Sequence, residues 1–201
     1  VTFRARERQS VDELERRLAA EPGIERVAFA DRLPVEDQFK YTIEVDTTTG
    51  VPATGLRRST LVHVSRGFFS TFGTSVVAGR DFAPLDFETG HVMIVNESFA
   101  RYVLGGRNPI GQRIRIVGGE VESVAGKDWY EIVGMVRDFG WQLPEPQEQS
   151  AMYRPSLPLV GRAGQLAVRV RDPDAFATRL RTIAADVDPT IQLTNVQRLT
   201  K

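Results

Sequence analysis

The chain contains no cysteine, which excludes disulfides, thiolate metal sites and cysteine nucleophiles but leaves the compartment open. Histidine is nearly missing too. Only His63 and His91 occur, so a zinc centre, which takes three or four protein ligands, would have to recruit carboxylates. There is no surplus of one charge. Lys plus Arg and Asp plus Glu both total 26, so the basic excess that phosphate contacts demand is absent and nucleic acid is not an expected partner. The charges are interspersed, without an acidic tail or a polybasic membrane-binding segment. No apolar run approaches the roughly 20 residues that span a bilayer. The nearest stretch, 62–79, is interrupted by His63, Ser65 and Arg66. The 201 residues are expected to be soluble, which says little about membrane helices in a parent protein.

What is present is ordinary globular material. At 41% hydrophobic and 26% charged, the chain can bury one sizeable core or two small ones. Residues 1–6 read as a short strand. Ser10 followed by Glu13 has the form of a capping box, and Val11, Leu14 and Leu18 then fall on one helical face. Pro22-Gly23 ends that helix, and Ile24 to Ala30 reads as a strand. The other end repeats the plan. Leu166 to Val170 is strand-like, Asp172 and Pro173 suit a helix start, and Phe176, Leu180, Ile183, Ala184 and Val187 form a buried stripe. Asp188-Pro189 stops the helix, and Ile191 to Val196 reads as a further strand.

The middle of the chain is richer in strands and turns. Tyr41 to Asp46, Ser59 to Val64, Val92 to Val95, Arg113 to Ile116 and Trp129 to Val136 carry strand patterns. Gly67 to Phe72 suits a short helix closed by Gly73, and Asn96 suits the cap of another that carries Phe99 and Val103. Gly118 to Asp128 reads as a hairpin-like loop, and Leu143 to Ser150, with Pro144 and Pro146, as a loop or linker. The expected fold is α+β with two lobes. Residues 1–40 and 159–201 form one from paired β-α-β units, and residues 41–158 form an inserted mixed lobe.

Candidate chemistry is thin. Asp81, Asp86 and Glu88 lie near His91, but their spacing matches no metal motif, and a solvated acidic loop is the better reading. Gly118-Gly119 through Gly126-Lys127 resembles a phosphate loop only superficially. Its glycine spacing is wrong and Asp128 stands where Ser or Thr is required. No Gly-x-Ser-x-Gly elbow occurs. Carboxylates are plentiful, but nothing selects a catalytic pair. Asn96-Glu97-Ser98 fits a glycosylation acceptor, but helix capping explains Asn96 and the helix dipole explains Glu97. Phe68, Phe69 and Phe72 are expected to be core rather than a docking stripe. The sequence therefore assigns no catalytic, cofactor-binding or metal residue, and leaves any substrate or partner surface unknown.

Three ordered segments carry a family likeness. One runs Val64-Ser65-Arg66-Gly67-Phe68-Phe69 through Phe72-Gly73 to Gly79-Arg80-Asp81-Phe82. The next runs from Val92 to Arg101 and continues as Asn108-Pro109-Ile110-Gly111-Gln112-Arg113-Ile114. The last is Trp129 to Asp138, and Pro22-Gly23-Ile24 and residues 166–196 flank the set. Together they resemble the MacB-like periplasmic core domain of FtsX-like permeases, closest in flavour to the acidobacterial-type duplicated orphan permeases. The resemblance implies a porter-like lobe, an inserted sabre-like lobe and a place on the periplasmic face of the bacterial inner membrane. It also implies a membrane-embedded parent that pairs with itself, a cytoplasmic ATPase partner, and a periplasmic adaptor or cargo. The domain would be non-catalytic and without cofactors, relaying ATP-driven movement by mechanotransmission in transport or efflux. A different class, an extracytoplasmic sensing domain with a ligand in an interlobe cleft, is the alternative.

Overall fold

The computed structural model describes residues 1–33, 39–46, 56–119, 126–139, 149–157 and 163–199. The chain is α+β. In chain order its first elements are β1 (Thr2–Arg4), α1 (Arg8–Ala20), β2 (Ile24–Ala30), β3 (Lys40–Val45), β4 (Arg57–Val64), α2 (Phe68–Thr71) and β5 (Val76–Gly79). There follow α3 (Asp86–Thr89), β6 (Val92–Asn96), α4 (Glu97–Tyr102), β7 (Arg113–Gly119), β8 (Tyr130–Val136) and β9 (Ala151–Pro155). The last are β10 (Gly164–Val170), α5 (Pro173–Val187) and β11 (Gln192–Thr194). Two compact units result, one of residues 1–33, 64–73 and 156–201, the other of residues 34–63 and 74–155. Segment 64–73, assigned from the sequence to the insertion, thus packs with the chain ends. Ser65 supplies the reason: its backbone N–H donates to the Phe29 carbonyl, and its Oγ accepts from the Phe29 N–H, both at 2.8 Å.

The first unit is an antiparallel sheet ordered β11-β1-β10-β2, with Ala30 of β2 continuing the ladder to Val64. Val27, Phe29, Leu166 and Val168 point to one face by strand alternation. There they meet Val11, Leu14 and Leu18 of α1 and Leu180, Ile183 and Ala184 of α5 in a single apolar cluster. The other face of β2 and β10 carries Ala28, Ala30 and Ala167, small enough for α2 to lie against it. Asp172 caps α5 as expected, accepting from the Ala175 N–H at 3.1 Å, with Pro173 in the first turn. The capping box is corrected. Helix α1 begins at Arg8, no side chain caps it, and the Ser10 hydroxyl instead donates to the Asp188 carboxylate at 2.7 Å, tying α1 to the end of α5. Glu13, the supposed reciprocal cap, is held by Arg16 and Arg17, whose hydrogen bonds bring its carboxyl down to about 2.

The second unit is a closed ring. Its strands run β4-β3-β7-β8-β6-β9, and β9 pairs back with β4. The pairs β3–β4, β3–β7, β7–β8 and β6–β9 are antiparallel, and β6–β8 is parallel. Alternate residues fill its interior. Tyr41, Ile43, Val45, Leu61, Met93, Val95, Ile114, Ile116, Tyr130, Ile132 and Met152 form one cluster, joined by Phe99, Val103 and Leu104 from α4 and its exit. Strand β5 takes over from β7 along the far half of β8. There the chain crosses itself so closely that a Cβ on Gly134 would lie 2.3 Å from the Arg80 carbonyl oxygen, which is why only glycine fits.

Candidate functional site

The positions singled out by the sequence resolve into structural roles. Asp86 is buried at the start of α3 rather than in a solvated loop. Arg80 grips it with two guanidinium nitrogens, at 2.6 and 3.2 Å, and the Ala83 N–H donates to it at 2.7 Å. The Arg80 hydrogen bond holds the Asp86 carboxyl below its ordinary value. Asp81 is exposed and accepts from the Phe82 N–H at 2.7 Å, and Glu88 is exposed on α3. His91 stacks on Tyr130 at 6.2 Å, while the Arg154 guanidinium lies 4.8 Å from the same ring. His63 is half-buried in β4. Among the described residues no group of three or more His, Asp or Glu side chains is placed to hold a metal.

The glycine-rich segment divides. Gly118 and Gly119 end β7, and Tyr41 lies so close that a Cβ on Gly119 would be 2.5 Å from its ring. Gly126 donates its N–H to the Ile116 carbonyl at 3.0 Å, while residues 120–125 lie outside the described residues. Most of the segment 143–150 also lies outside them, and Ser150 leads directly into β9. Phe68 and Phe69 are buried, and Phe72, half-buried, packs on Phe68 at 4.9 Å, so the stripe is mostly core.

Asn96 organises a larger polar junction than its sequence suggests. Its Oδ1 accepts from the Phe99 N–H at 3.0 Å, which caps α4, and from the Ala151 N–H at 2.9 Å. Its Nδ2 donates to the Gln149 carbonyl at 2.7 Å. The side chain is 1% exposed, so the glycosylation motif is closed to a transferase in the folded state. Next to it Asp138 accepts from the Ser98 N–H at 2.9 Å and the Ser98 hydroxyl at 2.8 Å. Tyr153 is fully buried beside this junction in β9, and burial with Asp138 nearby pushes its phenol well above the ordinary value.

A second polar surface, unforeseen in the sequence, covers the outside of β3 and β7. Glu44 and Arg115 face each other in the ladder and pair at 2.7 Å. Asp46, buried at the end of β3, pairs with Arg113. The half-buried Trp129 ring sits against both guanidiniums, 4.9 Å from Arg115 and 5.9 Å from Arg113. The Arg113–Ile116 alternation was the available signal, since it put both arginines outside. Each of these charges is matched by a protein partner, which makes the surface a brace across the ring rather than a reaction centre.

Comparison with known proteins follows the fold. The model of the MacB-like periplasmic core domain matches residues 2–198. No curated protein matches the chain. Its fold is similar to the periplasmic region of MacB from Actinobacillus actinomycetemcomitans, with a TM-score of 0.60 and 13% identity over 97% of this chain and 87% of that one. It is likewise similar to the extracellular domain of the noncanonic ABC-type transporter YknZ from Gram-positive bacteria, with TM-score 0.58, 15% identity and coverage of 97% and 99%. A domain of a putative permease protein from Porphyromonas gingivalis gives TM-score 0.52 at 15% identity, with coverage of 89% and 81%. At these identities the structural likeness is one of fold.

Proposed function

Because the chain belongs to the MacB-like periplasmic core domain family, we propose that it serves as the non-catalytic extracytoplasmic domain of an ABC-transporter-type permease. In this reading a cytoplasmic ATPase drives the parent, and this domain relays the movement to a periplasmic adaptor or cargo. The parent is embedded in the bacterial inner membrane and works as a pair. The two units are its porter-like and sabre-like lobes.

One observation carries the reading beyond family membership: each unit closes around its own apolar cluster. A domain that transmits displacement must move as stiff pieces, because local opening would absorb the motion. The ring of the second unit leaves few free strand edges, and closure is the arrangement that removes edges altogether. Its buried polar groups at Asn96 and Asp86 are tied into the packing rather than held ready for a substrate.

The test is hydrogen exchange on the full permease reconstituted with its ATPase, with and without ATP. The proposal predicts that amides in the core strands of both units stay protected throughout, while exchange changes at surface segments when nucleotide binds. Exchange indifferent to ATP everywhere in this domain would overturn it.

A further inference from the structure

Strand alternation sends two arginines of the first unit to the same side of the sheet. Arg26 of β2 and Arg169 of β10 are direct register partners. Both lie on the face of Ala28 and Ala167, opposite the Val27, Phe29 and Val168 face that enters the core. Like charges set opposite each other across an antiparallel pair are destabilising, so their juxtaposition asks for a compensating anion. Among the described residues the chain supplies none. Arg26 donates only to the Glu25 carbonyl, at 2.9 Å. The neighbouring carboxylates are turned elsewhere: Glu25 lies 3.9 Å from Arg171, and Asp172 caps α5.

Arg169 is nevertheless held in place. Gly73, left-handed at φ +72°, ends the turn after α2, and a Cβ there would come 2.8 Å from an Arg169 terminal nitrogen. The glycine satisfies the backbone angle and also leaves the space in which the guanidinium sits. A guanidinium seated by its surroundings and lacking an acceptor is ready for a carboxylate, which it binds through two parallel N–H donors. The arrangement fits one acidic side chain better than a membrane or nucleic acid. Those surfaces are read by clusters of several basic residues, whereas Glu25 and Asp172 sit beside this pair and the chain as a whole is neutral.

We propose that Arg26 and Arg169, the latter seated beside Gly73, form a docking point for an Asp or Glu side chain presented by a protein partner. This goes beyond the coupling role above and is tested without ATPase or membrane.

The probe is the peptide acetyl-Ala-Glu-Ala-Glu-amide, titrated at low ionic strength into the 201-residue chain while the arginine Nε–Hε resonances are followed by NMR. The Arg26 and Arg169 signals should shift saturably, and R26Q or R169Q should weaken binding about tenfold. R171Q should leave it unchanged, and the Gln-for-Glu peptide should give no shift. A shift that never saturates, or one equal at Arg171, would overturn the proposal. So would tighter binding at the same residues of inorganic phosphate or of vesicles rich in anionic phospholipid. Thermal unfolding adds an independent check. R169Q should raise the first unit's midpoint by relieving the repulsion, whereas a lowered midpoint would show that Arg169 serves packing alone.

Discussion

Replacing Asn96 with Ala should unfold the second unit far more easily than a surface substitution does. Three hydrogen bonds vanish at once. Loss of the α4 cap, where Oδ1 accepts from the Phe99 N–H, is worth about 1 kcal/mol. The Ala151 N–H, buried at the start of β9, is left without its acceptor, at about 1–3 kcal/mol. The Gln149 carbonyl loses its donor, for about another 1 kcal/mol. Together the change is about 3–5 kcal/mol, or a midpoint drop of about 12–20 °C for a unit of roughly 110 residues. The assay is favourable, because all four tyrosines and both tryptophans of the chain belong to the second unit. Near-ultraviolet circular dichroism in the tyrosine and tryptophan bands therefore follows that unit alone. Asn96→Asp, which keeps both acceptor contacts, should lose about half as much. A midpoint within about 3 °C of the parent, or unchanged exchange protection at the Ala151 amide in Asn96→Ala, would refute the reasoning.

Other outcomes follow from single contacts. Asp86→Asn should remove part of the acid sensitivity of the second unit. The folded carboxyl lies below its unfolded value because of Arg80, so its stabilisation is complete above the unfolded value near 4 and is lost as pH falls through the lower folded one. Acid titration of near-ultraviolet ellipticity checks this, and unequal slopes for parent and variant are the expected result. Gly134→Ala drives a Cβ to 2.3 Å from the Arg80 carbonyl and should lose at least about 3 kcal/mol in urea unfolding. Gly23→Ala, with φ +88° but open space around it, should lose only about 1–2 kcal/mol. Ser10→Ala breaks the bond to Asp188 and should lower the transition seen at 222 nm. That signal reports mostly the first unit, where the two long helices lie.

Where local chemistry decided the structure, the sequence was readable. The stripes Val11, Leu14, Leu18 and Leu180, Ile183, Ala184 placed α1 and α5 because helical period and burial coincide there. Asn96 and Asp172 announced their helices because a cap acts within one turn. Distance and partnership defeated the reading elsewhere. Ser10 had the local form of a cap, but a carboxylate 178 positions away took its hydroxyl. Asp86 looked solvated because nothing in an acidic stretch marks which carboxylate an arginine will cover. Strand β9 is only five residues long and ends in Pro155, and the closure it makes with β4 links residues such as Ser150 and Arg58, 92 positions apart. No periodicity reports a pairing of that separation. The candidate surface was legible only in its arginines, since neither the Arg26–Arg169 register nor the place of Trp129 has a local signature.

The central claim is that ATP used on one side of the membrane moves this domain on the other. These 201 residues hold no cysteine, so in a permease freed of cysteine elsewhere Ala19→Cys on α1 and Glu88→Cys on α3, both exposed, give one spin-label site in each unit. Double electron–electron resonance on the full permease with its ATPase, with and without a non-hydrolysable ATP analogue, measures the spacing between them and, with one label per protomer, across the pair. The account predicts that at least one of these distance distributions shifts when nucleotide binds. Distributions that superimpose in both labelling schemes, on a preparation that hydrolyses ATP, would contradict it.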